Sequence, residues 1–226
     1  MLCRARACGS GWVNVGGNGI GRLRDVDIAE LLVRHEACWQ RATRHPFLTA
    51  VCDGSLPESA FDTWLAQDYR FVGDLLRFQA RLLARAPRST QAVLAAGAAA
   101  LVDELTWFEQ HADARRIDLG AAPGRVTQAY GRLLERLDQA EVPVALAMLW
   151  TLERAYLDAW SFAAPGAGTY RDFVTHWTTP EFAAYVSALE VAVNETCSPG
   201  ATLDAPFIEV VEAEVQFWDM AVEGLS

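Results

Sequence analysis

From Asp27 to Val222 the apolar side chains of this chain recur at intervals of three and four, a period that belongs to helices and confines the fold to them. Ile28, Leu31, Leu32, His35 and Cys38/Trp39 begin the pattern. Pro57 and Glu58 open a long helix, where a proline and an acid both suit a helix start. Its inner stripe runs through Phe61, Trp64/Leu65, Asp68, Phe71/Val72 and Leu75/Leu76. Leu101, Glu104/Leu105 and Phe108 mark a third segment; Val126, Tyr130, Leu133/Leu134 and Leu137 mark a fourth, set off by Ala121-Ala122-Pro123-Gly124. Pro143 begins a fifth, through Leu146, Leu149/Trp150, Glu153, Tyr156/Leu157 and Trp160. After the loop Pro165-Gly166-Ala167-Gly168 come shorter helices around Tyr170 to Trp177 and Pro180 to Val193, then a last one from Leu203 to Val222. No stretch alternates with period two between hairpin turns. The expected architecture is all-α, a bundle of about eight or nine helices with no internal repeat.

A chain of 226 residues has length enough for one domain with a real core, expected here over residues 26–226. Residues 1–25 differ. Gly9, Gly11, Gly16, Gly17, Gly19 and Gly21 crowd a stretch with little periodicity, and Gly17-Asn18-Gly19-Ile20-Gly21 lacks the spacing of a dinucleotide-binding loop. This stretch reads as a flexible leader, or as a translation start placed too early.

Three carboxylates stand inside the apolar stripes. Asp68 lies in Gln67-Asp68-Tyr69-Arg70-Phe71, Glu153 in Trp150-Thr151-Leu152-Glu153-Arg154-Ala155-Tyr156, and Glu214 in Glu214-Val215-Gln216-Phe217-Trp218. Ionised groups are seldom buried without partners, so three acids in such positions point to a shared, aromatic-walled cavity. The structural alternative is a buried network with arginines such as Arg154 or Arg70. Tyr69, Phe71, Tyr130, Tyr156, Trp177 and Phe217 would supply stacking walls for a flat heterocycle. Desolvation and mutual repulsion in such a cavity raise carboxyl pKa values toward neutrality, as general acid–base work requires.

Other chemistries are restricted by what the chain lacks. All 19 of its basic residues are arginine. Without lysine there is no Schiff base, no pyridoxal-phosphate anchor and no P-loop. The net charge of −10, with no basic run, opposes nucleic-acid binding. The longest apolar runs, such as Ala92 to Val102, are too short to cross a bilayer. Cys3, Cys8, Cys38, Cys52 and Cys197 are odd in number and scattered, which fits a reduced, cytoplasmic protein and neither a disulfide framework nor a structural zinc site. No cysteine falls in the acid-bearing segments. The histidines, His35, His45, His111 and His176, form no Glu-x-x-His pair; only Glu104 and His111, seven apart, leave a weak metal reading. His45-Pro46 looks like a helix start.

At these residues the chain resembles the TenA family, relatives of thiaminase II with a heme-oxygenase-like helical fold. His45-Pro46-Phe47-Leu48, Asp53-Gly54-Ser55-Leu56-Pro57-Glu58-Ser59-Ala60-Phe61 and Gln67-Asp68-Tyr69 are similar to the family's opening pattern. Tyr170-Arg171-Asp172-Phe173, Pro180-Glu181-Phe182 and Glu214-Val215-Gln216-Phe217-Trp218 are similar to its closing one, and the likeness runs from about residue 28 to the end. Thiaminase II proper carries a nucleophilic cysteine two residues before the tryptophan equivalent to Trp150; this chain has Met148 there. The segments from Glu141 to Tyr156 and from Glu104 to Glu109 resemble instead the cysteine-lacking branch best known from plants. That branch is implicated in thiamin salvage, acting on amino- and formylamino-pyrimidine breakdown products.

The resemblance implies roles. Asp68 would hold the aminopyrimidine, Glu214 would be the catalytic acid–base, Tyr130 would contact the ring, and Phe217 would wall the site; beside these, the chain's own pattern offers Glu153 as second carboxylate and Tyr156 as a further ring contact. Phe71 and Trp177 stand where the family often has tyrosine, which keeps stacking and loses two hydroxyls. The expected activity is hydrolysis of thiamin-derived aminopyrimidines with water as nucleophile, with no metal or organic cofactor, in a homodimer or homotetramer whose partner is a small-molecule pyrimidine rather than nucleic acid or membrane. Two other classes stay open: a metal-dependent oxidase on the same scaffold, and a non-catalytic pyrimidine-binding regulatory protein.

Overall fold

The structure, a computed structural model, describes residues 27–198 and 201–223. The glycine-rich stretch of residues 1–25 lies outside the described residues. Among those described there are ten helices and no strand: α1 (Glu30–Arg34), α2 (Glu36–Thr43), α3 (Pro46–Asp53), α4 (Glu58–Arg85), α5 (Gln91–Arg115), α6 (Arg125–Asp138), α7 (Val142–Ala163), α8 (Arg171–His176), α9 (Pro180–Thr196) and α10 (Asp204–Val222). The all-α expectation holds. The count exceeds eight or nine because the first periodic segment is divided at His35, whose backbone leaves the helical region, and because the turn at His45 leads into a full short helix.

The local chemistry of the ends explains where helices start and stop. The His45 ring accepts a hydrogen bond from the Phe47 amide at 3.2 Å, and Pro46 occupies the first turn of α3, where no amide partner is lost. Gly54 ends that helix with φ of 81°, the left-handed conformation a side chain resists. A Cβ on Gly54 would also lie 2.9 Å from the Ala167 Cβ. Gly54→Ala is therefore expected to lower stability by about 1–2 kcal/mol, seen as a lower urea midpoint with an unchanged m-value. Thr179 caps α9 by accepting from the Phe182 amide at 3.1 Å, ahead of Pro180.

Packing follows from the apolar faces. α4 and α5 fold back on one another across the short connection 86–90. α7 is the central helix, in contact with α2, α3, α4, α6, α8, α9 and α10. Every residue from Ala145 to Glu153 is buried, and a helix apolar on all sides is what a central position requires. A cluster of indoles knits the middle of the bundle. Trp64 meets Trp160 at 5.2 Å and Trp177 at 5.5 Å, and Trp160 stacks on Trp177 at 4.7 Å. Trp177, at the edge of this cluster, lines a cavity that reaches the central helix. None of the described helices is long and apolar enough to cross a membrane.

Candidate active site

A cavity of about 500 Å³ lies between α4, α5, α7, α9 and the middle of α10. Five of the eight residues expected at the site line it: Phe71 on α4, Glu153 and Tyr156 on α7, Trp177 just after α8, and Glu214 on α10. The helical period brings them there, since Glu153 and Tyr156 are three apart on one face of α7. The other three, Asp68, Tyr130 and Phe217, stand one layer behind the wall rather than on it. The Tyr130 hydroxyl donates to Oε1 of Glu214. Phe217 packs on Phe71 and Tyr130, with ring centres 5.8 and 6.0 Å apart.

Asp68 has a distinctive setting. It is 1% exposed, and its Oδ2 accepts from the Tyr156 hydroxyl at 2.5 Å. Its Oδ1 has no hydrogen-bond partner. A buried carboxyl with an orphaned oxygen is costly, so such an atom marks either strain or a ligand's place. Burial drives the Asp68 pKa well up; the Tyr156 bond opposes that, and the nearby Glu104 and Glu214 add to it.

The structure adds a fourth acid. Glu104, on α5, lines the cavity and accepts from the Trp177 indole N–H at 2.7 Å. The sequence shows it in register with Leu101, Leu105 and Phe108, the same placement as the other three acids, while its spacing to His111 points to a metal. That reading gathers no further ligand: among the described residues no group of three or more His, Cys, Asp or Glu is arranged to hold a metal ion. His111 packs on Trp107 with ring centres 4.2 Å apart.

The carboxyls share one electrostatic predicament. Burial raises Glu214 to about 7, against the Tyr130 hydrogen bond. Burial raises Glu104 to about 7, against the Trp177 bond. Glu153 is raised furthest, to about 8, by burial and then by the charge of Glu104, with Glu214 adding and the Tyr185 hydroxyl opposing. No arginine relieves them. Among the described lining residues there is none, and the arginines considered as partners are engaged elsewhere. Arg154 bonds Asp158 at 2.9 Å and approaches Glu190 at 3.7 Å, while Arg70 donates to the Leu119 carbonyl at 2.7 Å. His176 also lines the cavity, but burial, and then His111, lowers its pKa to about 4, so it is neutral where it stacks on Trp107.

The place of the family's thiol is apolar and closed. Met148 is 0% exposed and does not line the cavity. Of the described cysteines, Cys38 sits beside Glu212 and Cys197 near the Pro143 carbonyl; neither lines the cavity, nor does Cys52. Two further residues were not foreseen. Tyr185 of α9 approaches Glu153 and is itself held by the buried Gln79 of α4, and no spacing signal in the chain singles out either one.

A helical bundle whose central helix and its neighbours turn carboxyls into an aromatic cavity defines the class of protein. Residues 32–224 match the model of the TENA/THI-4/PQQC family, and the chain belongs to that family. A Glycine max protein bearing the name "Probable bifunctional TENA-E protein" is 30% identical over 207 residues, covering 84% of this chain and 90% of that one. A TenA homologue from Pyrococcus furiosus superposes with a TM-score of 0.82 at 28% identity, over 87% of this chain and 100% of its own. A TenA family transcription regulator from Silicibacter sp. TM1040 superposes at 0.79 with 20% identity, over 90% and 100%, and bears on the fold alone.

Proposed function

We propose that this protein hydrolyses thiamin-derived 4-amino-2-methylpyrimidines at the 5-substituent, in thiamin salvage. The observation that supports this most is the convergence of Glu104, Glu153 and Glu214, from α5, α7 and α10, on one cavity without a basic counter-charge. Carboxyls held near neutrality exist in both protonation states at working pH, so one of them can take a proton while another gives one. A ring bearing an amino group and a 5-aminomethyl group presents N–H donors, which acceptor-rich walls accommodate. Phe71, Tyr156 and Trp177 offer faces for stacking.

In this reading water is the nucleophile. For an aminomethyl substrate, Glu214 deprotonates water or protonates the departing nitrogen; the C–N bond breaks, ammonia leaves, and the water oxygen remains as a hydroxymethyl group. For a formylamino substrate, water adds to the formyl carbon, the amide C–N bond breaks, and formate leaves the aminomethyl product. Glu153 is the second carboxylate, and Tyr130 orients Glu214 through its hydroxyl. Asp68 takes the ring's amino group on its unpartnered oxygen once Tyr156, which bonds its other oxygen, turns aside. The same reading has the protein self-associate as a homodimer or homotetramer in the cytoplasm, which light scattering of the purified protein addresses for the assembly.

The test is turnover. Folded, purified protein is incubated with the aminomethyl- and formylaminomethyl-pyrimidines, and products are followed by chromatography. Release of hydroxymethyl- or aminomethyl-pyrimidine is expected. No reaction with either would refute the proposal; tight binding without turnover would favour a regulatory role, and stoichiometric iron in the purified protein an oxidase.

A further inference from the structure

α5 is rich in alanine, yet carries Gly97 in its interior, where glycine is destabilising by roughly 0.5–1 kcal/mol relative to alanine. The reason is a close approach. A Cβ at Gly97 would lie 2.3 Å from Nε2 of Gln79 and 2.3 Å from the Tyr185 hydroxyl oxygen, well inside contact distance. The space that the missing side chain leaves is filled by these two polar groups, from α4 and α9.

Gln79 is fully buried and anchored. Its Nε2 donates to the Leu94 carbonyl of α5 at 2.9 Å and to the Tyr185 hydroxyl at 3.1 Å. With its oxygen already accepting from Gln79, Tyr185 has one hydrogen left to give. Two acceptors lie in reach, Oε1 of Gln79 at 3.4 Å and Oε1 of Glu153 at 3.5 Å. Both distances are long. An ionised Glu153 is the stronger acceptor of the two and would draw the hydroxyl toward itself, because hydrogen bonds to a charged oxygen are shorter and stronger.

We propose that Tyr185, seated by Gln79 in the space Gly97 leaves open, is a positioning residue for Glu153. It gives the carboxylate a fixed donor on the α9 side and so orients it toward the cavity that Glu214 enters from α10. The groups facing Glu153 are otherwise of the wrong sign or neutral. Glu104 of α5 and Glu214 of α10 repel its charge, Tyr130 of α6 is engaged with Glu214, and Gln79 of α4 reaches it only through Tyr185. Arg154, the next residue on α7, turns to Asp158 and Glu190. Tyr185 is thus the donor that stabilises this carboxylate when it is charged. The kinetic part of this inference rests on the hydrolase reading above, and the part about Glu153 itself does not.

The experiment uses the full chain and Tyr185→Phe, with folding checked by circular dichroism. Carboxyl C=O absorption is titrated by infrared difference spectroscopy, and the Glu153 band is identified by its loss in Glu153→Gln. In Tyr185→Phe that titration is expected to move upward by about one pH unit, the ordinary strength of a hydrogen bond to a charged group. Where the aminopyrimidines are turned over, kcat is expected to fall about 10-fold with KM within about twofold, and the limb of the pH profile that follows Glu153 moves upward with the infrared titration. Gly97→Ala, which expels the tyrosine while keeping its hydroxyl, should reproduce the infrared shift. An unmoved Glu153 titration in Tyr185→Phe overturns the inference. If the wild-type protein turns over neither pyrimidine, the hydrolase reading fails alone, because the infrared titration still decides the role of Tyr185.

Discussion

Glu214→Gln is expected to lower kcat by at least ~10²-fold on the aminopyrimidine substrates, the ordinary contribution of a general acid–base residue. The argument is geometric before it is electrostatic. Glu214 is 4% exposed, yet lines the cavity, so what little surface it shows faces the ligand space. Tyr130 fixes one of its oxygens and leaves the other to the cavity. A carboxyl whose pKa stands near 7 serves equally as donor or acceptor at neutral pH, whereas one at its usual value of 4.5 would be a poor acid there. Glutamine keeps the size and the bond to Tyr130, with the amide oxygen as acceptor, but it carries no transferable proton. The fall should therefore appear in kcat, with KM little changed, in steady-state kinetics at several pH values. Near-normal kcat would move the role to Glu153, and Glu153→Gln would then show the large loss.

The thermal midpoint of the ligand-free protein is expected to fall as pH rises from about 4.5 to about 8. Glu104 and Glu214 are raised from 4.5 to about 7 and Glu153 from 4.5 to about 8, and Asp68 moves the same way. In each case the folded state holds a proton that the unfolded chain has already released. The stabilisation these groups contribute is therefore fully present below their unfolded values. It is lost as pH climbs through the window, and for the three glutamates it is largely gone above about 8. Each unit is worth about 1.4 kcal/mol, so even with mutual coupling the sum reaches several kcal/mol. For a chain of this size that is a drop of about 5 °C or more, read by calorimetry across the window. Most exposed ion pairs of the surface, such as Arg41 with Glu212, should matter little. Glu153→Gln should flatten the upper part of the curve. A midpoint that holds level or rises from pH 5 to 8 would show that the acids are not buried as a group.

The helices, their order and the breaks between them are legible in the chain, because burial on one side of a helix writes itself as a three-and-four period. Proline and glycine at Pro57, Gly54, Pro123-Gly124 and Pro165-Gly166 punctuate it. Asp68, Glu153 and Glu214 are legible for the same reason, as charges standing where the period calls for apolar side chains. Glu104 obeys the same rule, although its interval to His111 also fits a metal pair.

The linear pattern is silent on which side of a wall a side chain stands. Asp68 and Glu214 sit in equivalent stripe positions, yet Glu214 reaches the cavity and Asp68 is sealed behind Tyr156, since that depends on how far α4 and α7 approach and how the rings between them turn. Gln79, Gly97 and Tyr185 are three ordinary residues on three helices, and their meaning arises only where a missing Cβ lets the other two meet. Periodicity is a property of one helix and survives in the chain itself, whereas contact between helices is set by the packing of all ten and leaves no mark at any fixed interval.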